Sequence, residues 1–204
     1  MSIQRHSLPD AAAAAESCAQ RVTGLLETAL AGGSEASLAV SGGSTPRLLF
    51  QALTRLHFDW SRVHLFWVDE RCVPPTDPAS NYKLAKDYLL SGARIPERNV
   101  HRIHGEIAPK EASHRYAEEI RRFFKVDPGE MPRFDVVQCG MGPDAHTASL
   151  FPGEPLIEDR DQIAAAVFAP QFNQWRVTLL PGPLLAARHV AVHLERGPAV
   201  GMPE

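Results

Sequence analysis

Phe134-Asp135-Val136-Val137-Gln138-Cys139-Gly140-Met141-Gly142-Pro143-Asp144-Ala145-His146 is the stretch that decides the fold. Its first six residues hold an apolar run short enough for a buried strand, and the two glycines with Pro143 then force a turn. The turn presents a carboxylate, Asp144, two residues ahead of an imidazole, His146. In open parallel α/β sheets, ligands bind beyond the carboxyl ends of such strands. A histidine steadied by a neighbouring aspartate suits general-base work near neutral pH, because an unperturbed imidazole titrates at about 6.5. The same residues also fit a connecting loop that merely contains a histidine.

Upstream, Asp10 is placed to cap an alanine-rich helix that Gly32-Gly33 closes. Leu38-Ala39-Val40 reads as a short strand, followed by the turn Ser41-Gly42-Gly43-Ser44-Thr45-Pro46. Pro46 suits the first turn of a helix whose apolar face is Leu48, Leu49, Ala52, Leu53 and Leu56. Residues 63–68 read as a second strand, running into Asp69-Glu70-Arg71. A loop with Pro74, Pro75 and Pro78 leads to a helix around residues 81–90. Pro109 starts another, striped by Ala112, Tyr116, Ile120, Phe123 and Phe124. Beyond the histidine, a helix or turn should begin near His146. Residues 164–168, 177–180 and 189–194 read as strands, and 184–188 as a short helix. Strands alternating with helices predict a three-layer α/β/α Rossmann-like sandwich with a mainly parallel sheet, as one domain over residues 1–204.

The formal charge of −3 lacks the basic excess of a nucleic-acid surface, so no nucleic-acid partner is expected. No apolar run approaches the roughly 20 residues of a membrane helix, and no membrane partner is expected either. Three scattered cysteines, Cys18, Cys72 and Cys139, form neither a disulfide framework nor a metal knuckle. A reducing, cytoplasmic setting follows. A cation beside Cys72, Arg71, is of the kind that lowers a thiol pKa, although Cys72 reads as incidental.

Segments that follow parallel strands gather at one sheet edge, and three of them carry chemistry. Ser41-Gly42-Gly43-Ser44-Thr45 combines glycines, hydroxyls and a helix amino terminus, which suits a phosphate. Asp69-Glu70-Arg71, with Ser80-Asn81 after the proline loop, offers an arginine for bidentate anion binding. Two carboxylates and an arginine in a row are not expected to be fully buried, and a solvated charged loop is the plain alternative. The third segment carries Asp144 and His146. An anion cradle, a cation and an oriented base together point to a phosphorylated small molecule acted on by proton transfer or activated water. His101 with His104, and His189 with His193, have spacings weighed for metal binding, but read as structural or surface histidines, so no metal site is expected. Phe66, Trp67 and Trp175 read as core.

The Ser41 to Pro46 turn, Asp69-Glu70-Arg71 with Ser80-Asn81, the run from Gly140 to Pro152, and Arg176-Val177-Thr178-Leu179 together resemble the 6-phosphogluconolactonases. The resemblance is ordered and spans most of the chain. It implies a fold shared with glucosamine-6-phosphate deaminase. It also implies hydrolysis of 6-phosphogluconolactone to 6-phosphogluconate in the oxidative pentose phosphate pathway, without a cofactor. The sequence leaves monomer and homodimer both open. By position it makes His146 the base that activates water and Asp144 its orienting partner. Ser41, Gly42, Gly43, Ser44, Thr45, Asp69, Arg71, Asn81 and Arg176 are then the substrate and phosphate residues. The deaminase branch resembles the chain less, because it places a glutamate where Phe151 stands, and phenylalanine moves no protons.

Two departures stand out. The usual Asp-Gly-His is Asp144-Ala145-His146, which is harmless unless residue 145 is left-handed. No lysine follows Lys125, where the resemblance implies a phosphate-binding lysine and a further helix. Arg176, Arg188 or Arg196 is then the substitute charge, in a domain shortened at its carboxyl end, with KM raised. A non-catalytic sugar-phosphate-binding protein is the remaining alternative.

Overall fold

The computed structural model describes residues 3–142 and 144–194. The chain opens with α1 (Ala11–Gly32), β1 (Ala36–Val40), α2 (Ser44–Arg55) and β2 (Val63–Trp67). One residue later comes β3 (Asp69–Arg71), then α3 (Asn81–Ala85), which continues through a π-helical turn, Lys86–Leu90, into α4 (Ser91–Ala93). β4 (Val100–His101), α5 (Pro109–Phe124) and β5 (Val136–Cys139) precede the histidine loop. β6 (Ala164–Ala169), β7 (Gln174–Leu179), α6 (Pro181–Ala186) and β8 (His189–Val192) follow it.

Local chemistry accounts for the ends of the first helix. The Asp10 carboxylate accepts from the Ala13 amide at 2.8 Å, satisfying one free N–H of α1, and Gly33 ends it. The main sheet has five parallel strands in the order β4-β2-β1-β5-β8. Every residue of β1 and of β5 is buried, so both faces are covered, as all-parallel sheets require. α1 packs on α2 and against β1, β5 and β8. From α5, the buried Tyr116 hydroxyl donates to the Trp67 carbonyl at 2.7 Å and accepts from its amide at 2.8 Å. Phe123 and Phe124 close around Phe66 and Phe134, so the predicted stripe is a core face.

The order reverses between β1 and β5. From β1 the chain winds outward through β2 to β4, then returns to β5 and winds the other way to β8. The loops after β1 and β5 therefore diverge from adjacent strands, and that switch point is the usual ligand position in such sheets.

The strands expected near residues 164 and 177 exist, but they do not extend the parallel sheet. β6 and β7 pair with β3 in a separate antiparallel sheet, ordered β3-β7-β6. Only the short turn Pro170–Phe172 with left-handed Asn173 joins β6 to β7, far too little chain for a parallel crossover. Val68 links the two sheets: its amide bonds the Val40 carbonyl and its carbonyl accepts from Leu179, both at 2.8 Å.

The charged triplet Asp69-Glu70-Arg71 is thus a strand, with both carboxylates buried. Burial is affordable because Glu70 accepts from the amides of Arg71, Asn81 and Tyr82 at 2.7 Å each and from Ser80 Oγ at 3.0 Å. Desolvation still raises the pKa of Glu70 against these bonds. Of the helix or turn expected near His146, the structure has the turn. Two smaller expectations change: the late helix lies at Pro181–Ala186, and Trp175 is exposed, paired with Phe168 across the β6–β7 ladder. Among the described residues, no helix is long and apolar enough to cross a membrane.

His101 packs against the core. It stacks on Phe66, with ring centroids 4.3 Å apart, and bonds Glu119 at 2.7 Å and His64 at 2.8 Å. Burial, aided by His101, pushes the pKa of His64 down, while Glu35 opposes the shift. A depressed histidine stabilises the fold fully above its unfolded value of about 6.5, and that part drains away as pH falls toward the folded value. In His64→Gln this part is gone. The thermal midpoint should then fall less between about pH 7 and about pH 5.5 than in the parent protein, and equal falls would contradict the depressed value.

Candidate active site

At the switch point, β1 is followed by Ser41, whose amide and hydroxyl both reach Oε1 of Gln138 on β5 at 3.2 Å. This bridge ties the ends of the two central strands. Gly42 is required by crowding: a Cβ there would lie 1.8 Å from Asn81 Oδ1. Gly43, at φ 112°, turns the chain into α2 and leaves its first amides without a side-chain cap. Such an end presents free N–H groups and the positive end of the helix dipole to an anion. Thr45 is half-buried in the first turn, and the Ser44 side chain lies outside the described residues.

Asn81, buried at the start of α3, donates from Nδ2 to the Asp69 carbonyl at 2.8 Å and to Asp69 Oδ1 at 3.2 Å. The other Asp69 oxygen accepts from Ser149 Oγ at 2.7 Å, with Arg176 Nη1 at 3.9 Å. Arg176 is itself buried, its guanidinium 4.6 Å from the Phe172 ring centre and 5.7 Å from that of Phe151. Desolvation lowers its pKa, opposed by Asp69. Arg71 is engaged by a carbonyl, since its Nη1 donates to Ala79 at 2.5 Å. Arg188 pairs with Asp135 at 3.2 Å, and Arg196 lies outside the described residues.

In the third loop, the Asp144 carboxylate meets His146 Nδ1 and also accepts from the His146 amide at 3.3 Å. The bond to His146 holds Asp144 below the ordinary carboxylate range. A proton on Nδ1 leaves Nε2 as the acceptor. The ring is largely covered, with 19% of the side chain exposed, and stands 4.7 Å from the Phe151 ring. Gly142 makes room for it, because a Cβ there would lie 2.1 Å from His146 Cε1. The His146 carbonyl accepts from the Gly142 amide at 2.8 Å, and Thr147 Oγ1 donates to the Gly140 carbonyl at 3.0 Å.

Direct contacts therefore run from Gly42 through Asn81, Asp69, Arg176 and Phe151 to His146 and Asp144. Ser41 joins through the β1–β5 bridge, while Arg71 leans toward the proline loop. Sequence reasoning missed Gln138, Ser149 and Thr178, polar residues with little solvent around them. Their signal was a polar residue inside an otherwise apolar run. Arg71 does not lower the thiol pKa of Cys72: burial, with Glu70 adding to it, raises it to about 11, in keeping with an incidental cysteine.

A sequence profile of the family described as glucosamine-6-phosphate isomerases/6-phosphogluconolactonase matches residues 9–197. The chain belongs to this family. A 6-phosphogluconolactonase of Treponema pallidum is 42% identical over 144 residues, covering 69% of this chain and 59% of that protein. One from Nostoc sp. is 38% identical over 157 residues, covering 76% and 65%. The chain thus spans roughly three-fifths of the length of these curated relatives. The solved 6-phosphogluconolactonase of Trypanosoma cruzi superposes with a TM-score of 0.83 at 28% identity, covering 94% of this chain and 80% of that one. That of Thermotoga maritima gives 0.80 at 29%, covering 91% and 80%. The expected α/β class agrees with these folds.

Ala145 adopts the left-handed conformation, at φ 66°. That conformation costs an L-residue about 1–2 kcal/mol, and glycine would escape it while losing about 0.4–1 kcal/mol to its freer unfolded chain. Ala145→Gly should therefore stabilise the protein by up to about 1 kcal/mol, read as a thermal midpoint raised by up to about 4 °C. A lowered midpoint would contradict the left-handed geometry.

Proposed function

We propose that the protein hydrolyses 6-phospho-D-glucono-1,5-lactone to 6-phosphogluconate, with His146 as the general base. The observation that carries this reading is the Asp144–His146 pair at the carboxyl end of β5, beside an uncapped helix start at the end of β1. A six-membered lactone is an activated ester whose leaving group stays tethered. It needs an oriented water, a base and a place for the developing oxyanion, and no covalent nucleophile.

His146 Nε2 accepts a proton from water as the water oxygen attacks the lactone carbonyl. Collapse of the tetrahedral intermediate breaks the bond to the ring oxygen, which takes up the proton from the imidazolium. Asp144 keeps the other ring nitrogen protonated and offsets the positive charge that forms between these steps. The substrate phosphate sits at the start of α2, on the amides after Gly43, with Arg71 and the buried Arg176 adding positive potential. No cofactor enters this scheme. Phe151 argues against the isomerase branch, since its ring lies on His146 where an additional proton carrier would be required.

The decisive measurement couples lactone opening to 6-phosphogluconate dehydrogenase. The parent protein should turn over, His146→Ala should lose at least about 100-fold in kcat, and Asp144→Asn should lose less. Ammonia released from glucosamine-6-phosphate would favour the isomerase branch instead. Saturable binding of 6-phosphogluconate with turnover of neither substrate would leave a binding protein.

A further inference from the structure

We propose that Ser149 is a positioning residue whose buried hydroxyl clamps the strained turn carrying His146 onto the antiparallel sheet. This rests on the reading of His146 as the base. Two L-residues in left-handed conformations, Ala145 at φ 66° and Ala148 at φ 53°, bracket His146-Thr147. Strain of that kind persists only where surrounding bonds over-determine the backbone. Among the described residues, several bonds in the turn are internal to it. Gly142 bonds the His146 carbonyl, Leu150 bonds the Thr147 carbonyl, and the Thr147 hydroxyl reaches back to Gly140 and the Cys139 thiol at the end of β5. They shape the turn and tie it to the strand it leaves, but do not fix it against the second sheet.

Ser149 does fix it there. Its amide donates to Thr178 Oγ1 at 3.2 Å and its hydroxyl donates to Asp69 Oδ2 at 2.7 Å. Asp69 and Thr178 are cross-strand partners in the β3–β7 ladder, so one serine grips one rung of the second sheet from both strands. Ser149 and Thr178 are fully buried, and Asp69 is nearly so. Asn81 holds the second oxygen of Asp69, and Arg176 lies 3.5 Å from Ser149 Oγ. The anchor is therefore fixed independently of the turn it holds. A hydroxyl donating to a carboxylate is a short, directional bond. Because Ser149 is three residues from His146, freedom at the anchor becomes freedom of the imidazole, and misplacement by about 1 Å can cost 10²-fold in rate.

Ser149→Ala removes the hydroxyl and leaves the amide bond to Thr178. Thr178→Val removes the other grip at nearly constant volume and serves as the second variant should the alanine protein fail to fold. Each is measured in two ways: lactone hydrolysis, and nitrogen-15 NMR of the His146 ring without substrate. The clamp predicts a fall in kcat of about 10- to 100-fold with KM within about twofold. It also predicts a ring spectrum that moves from one tautomer, protonated at Nδ1, toward an average of both. Unchanged kcat and an unchanged ring spectrum would overturn it. So would lower stability or higher KM with the tautomer preserved, which is the mark of a merely structural serine. If the parent protein does not open the lactone but Ser149→Ala still frees the ring, the function assigned to His146 falls and the clamp survives.

Discussion

Consecutive residues of a strand point to opposite faces, and at β3 those residues are two buried carboxylates. Taking a carboxylate out of water has a penalty of several kcal/mol, which can be met only by well-directed donors. Glu70 gathers its donors from the start of α3, where two amides and the Ser80 hydroxyl converge on it. Asp69 gathers Ser149 from the histidine turn and Asn81 from α3, with Arg176 of β7 nearby. The requirement to satisfy two adjacent negative charges thus draws a helix, a turn and a strand to one point. Without β3 the loops after β1 and β5 would still be joined through the Ser41–Gln138 bridge, but Asn81 and Ser149 would lose the carboxylate that they share.

The parallel sheet supplies the other half of the arrangement. Its order reverses between β1 and β5, and the Ser41–Gln138 bridge ties the ends of those strands. On the β1 side a helix start offers amides; on the β5 side a turn offers an imidazole. In the proposed reaction these serve the two ends of one substrate, the phosphate and the lactone carbonyl. The division is economical because charge recognition uses backbone groups, leaving the titratable side chain free for proton transfer.

The parts legible in the sequence were those where one local signal suffices. β1, β2 and β5 show as short apolar runs, each broken by a single polar residue, Asp10 and Gly33 mark the ends of α1, and the stripe from Ala112 to Phe124 shows the buried face of α5. The Asp144–His146 pair is legible because two residues of spacing already place carboxylate and imidazole together. What was hidden depends on distant partners. Asp69 and Glu70 look solvated until Ser149 and Asn81, far along the chain, are known to reach them. β4 has only two residues, too few for any pattern. The second sheet was misplaced because alternation of strand and helix says nothing of which strands pair. Ala145 is marked only by standing where the resemblance has glycine, and whether its backbone is left-handed appears only in three dimensions.

Phe151 shows how a single apolar residue shapes the chemistry of this group. Its ring lies against the His146 ring and beneath the Arg176 guanidinium. An imidazole that becomes positively charged during water attack would be opposed by a bare guanidinium alongside it. The phenylalanine offers the arginine its π face, while Asp69 gives it a negative partner. Arg176 can then remain charged in the interior and lend positive potential toward a phosphate without suppressing the proton transfer expected of His146. A glutamate in the same place would be drawn to both neighbours, turning a base with one carboxylate partner into a base with two. Such a site favours shuttling protons along a substrate chain over activating one water, and the contact between Phe151 and His146 is the structural reason to prefer hydrolysis.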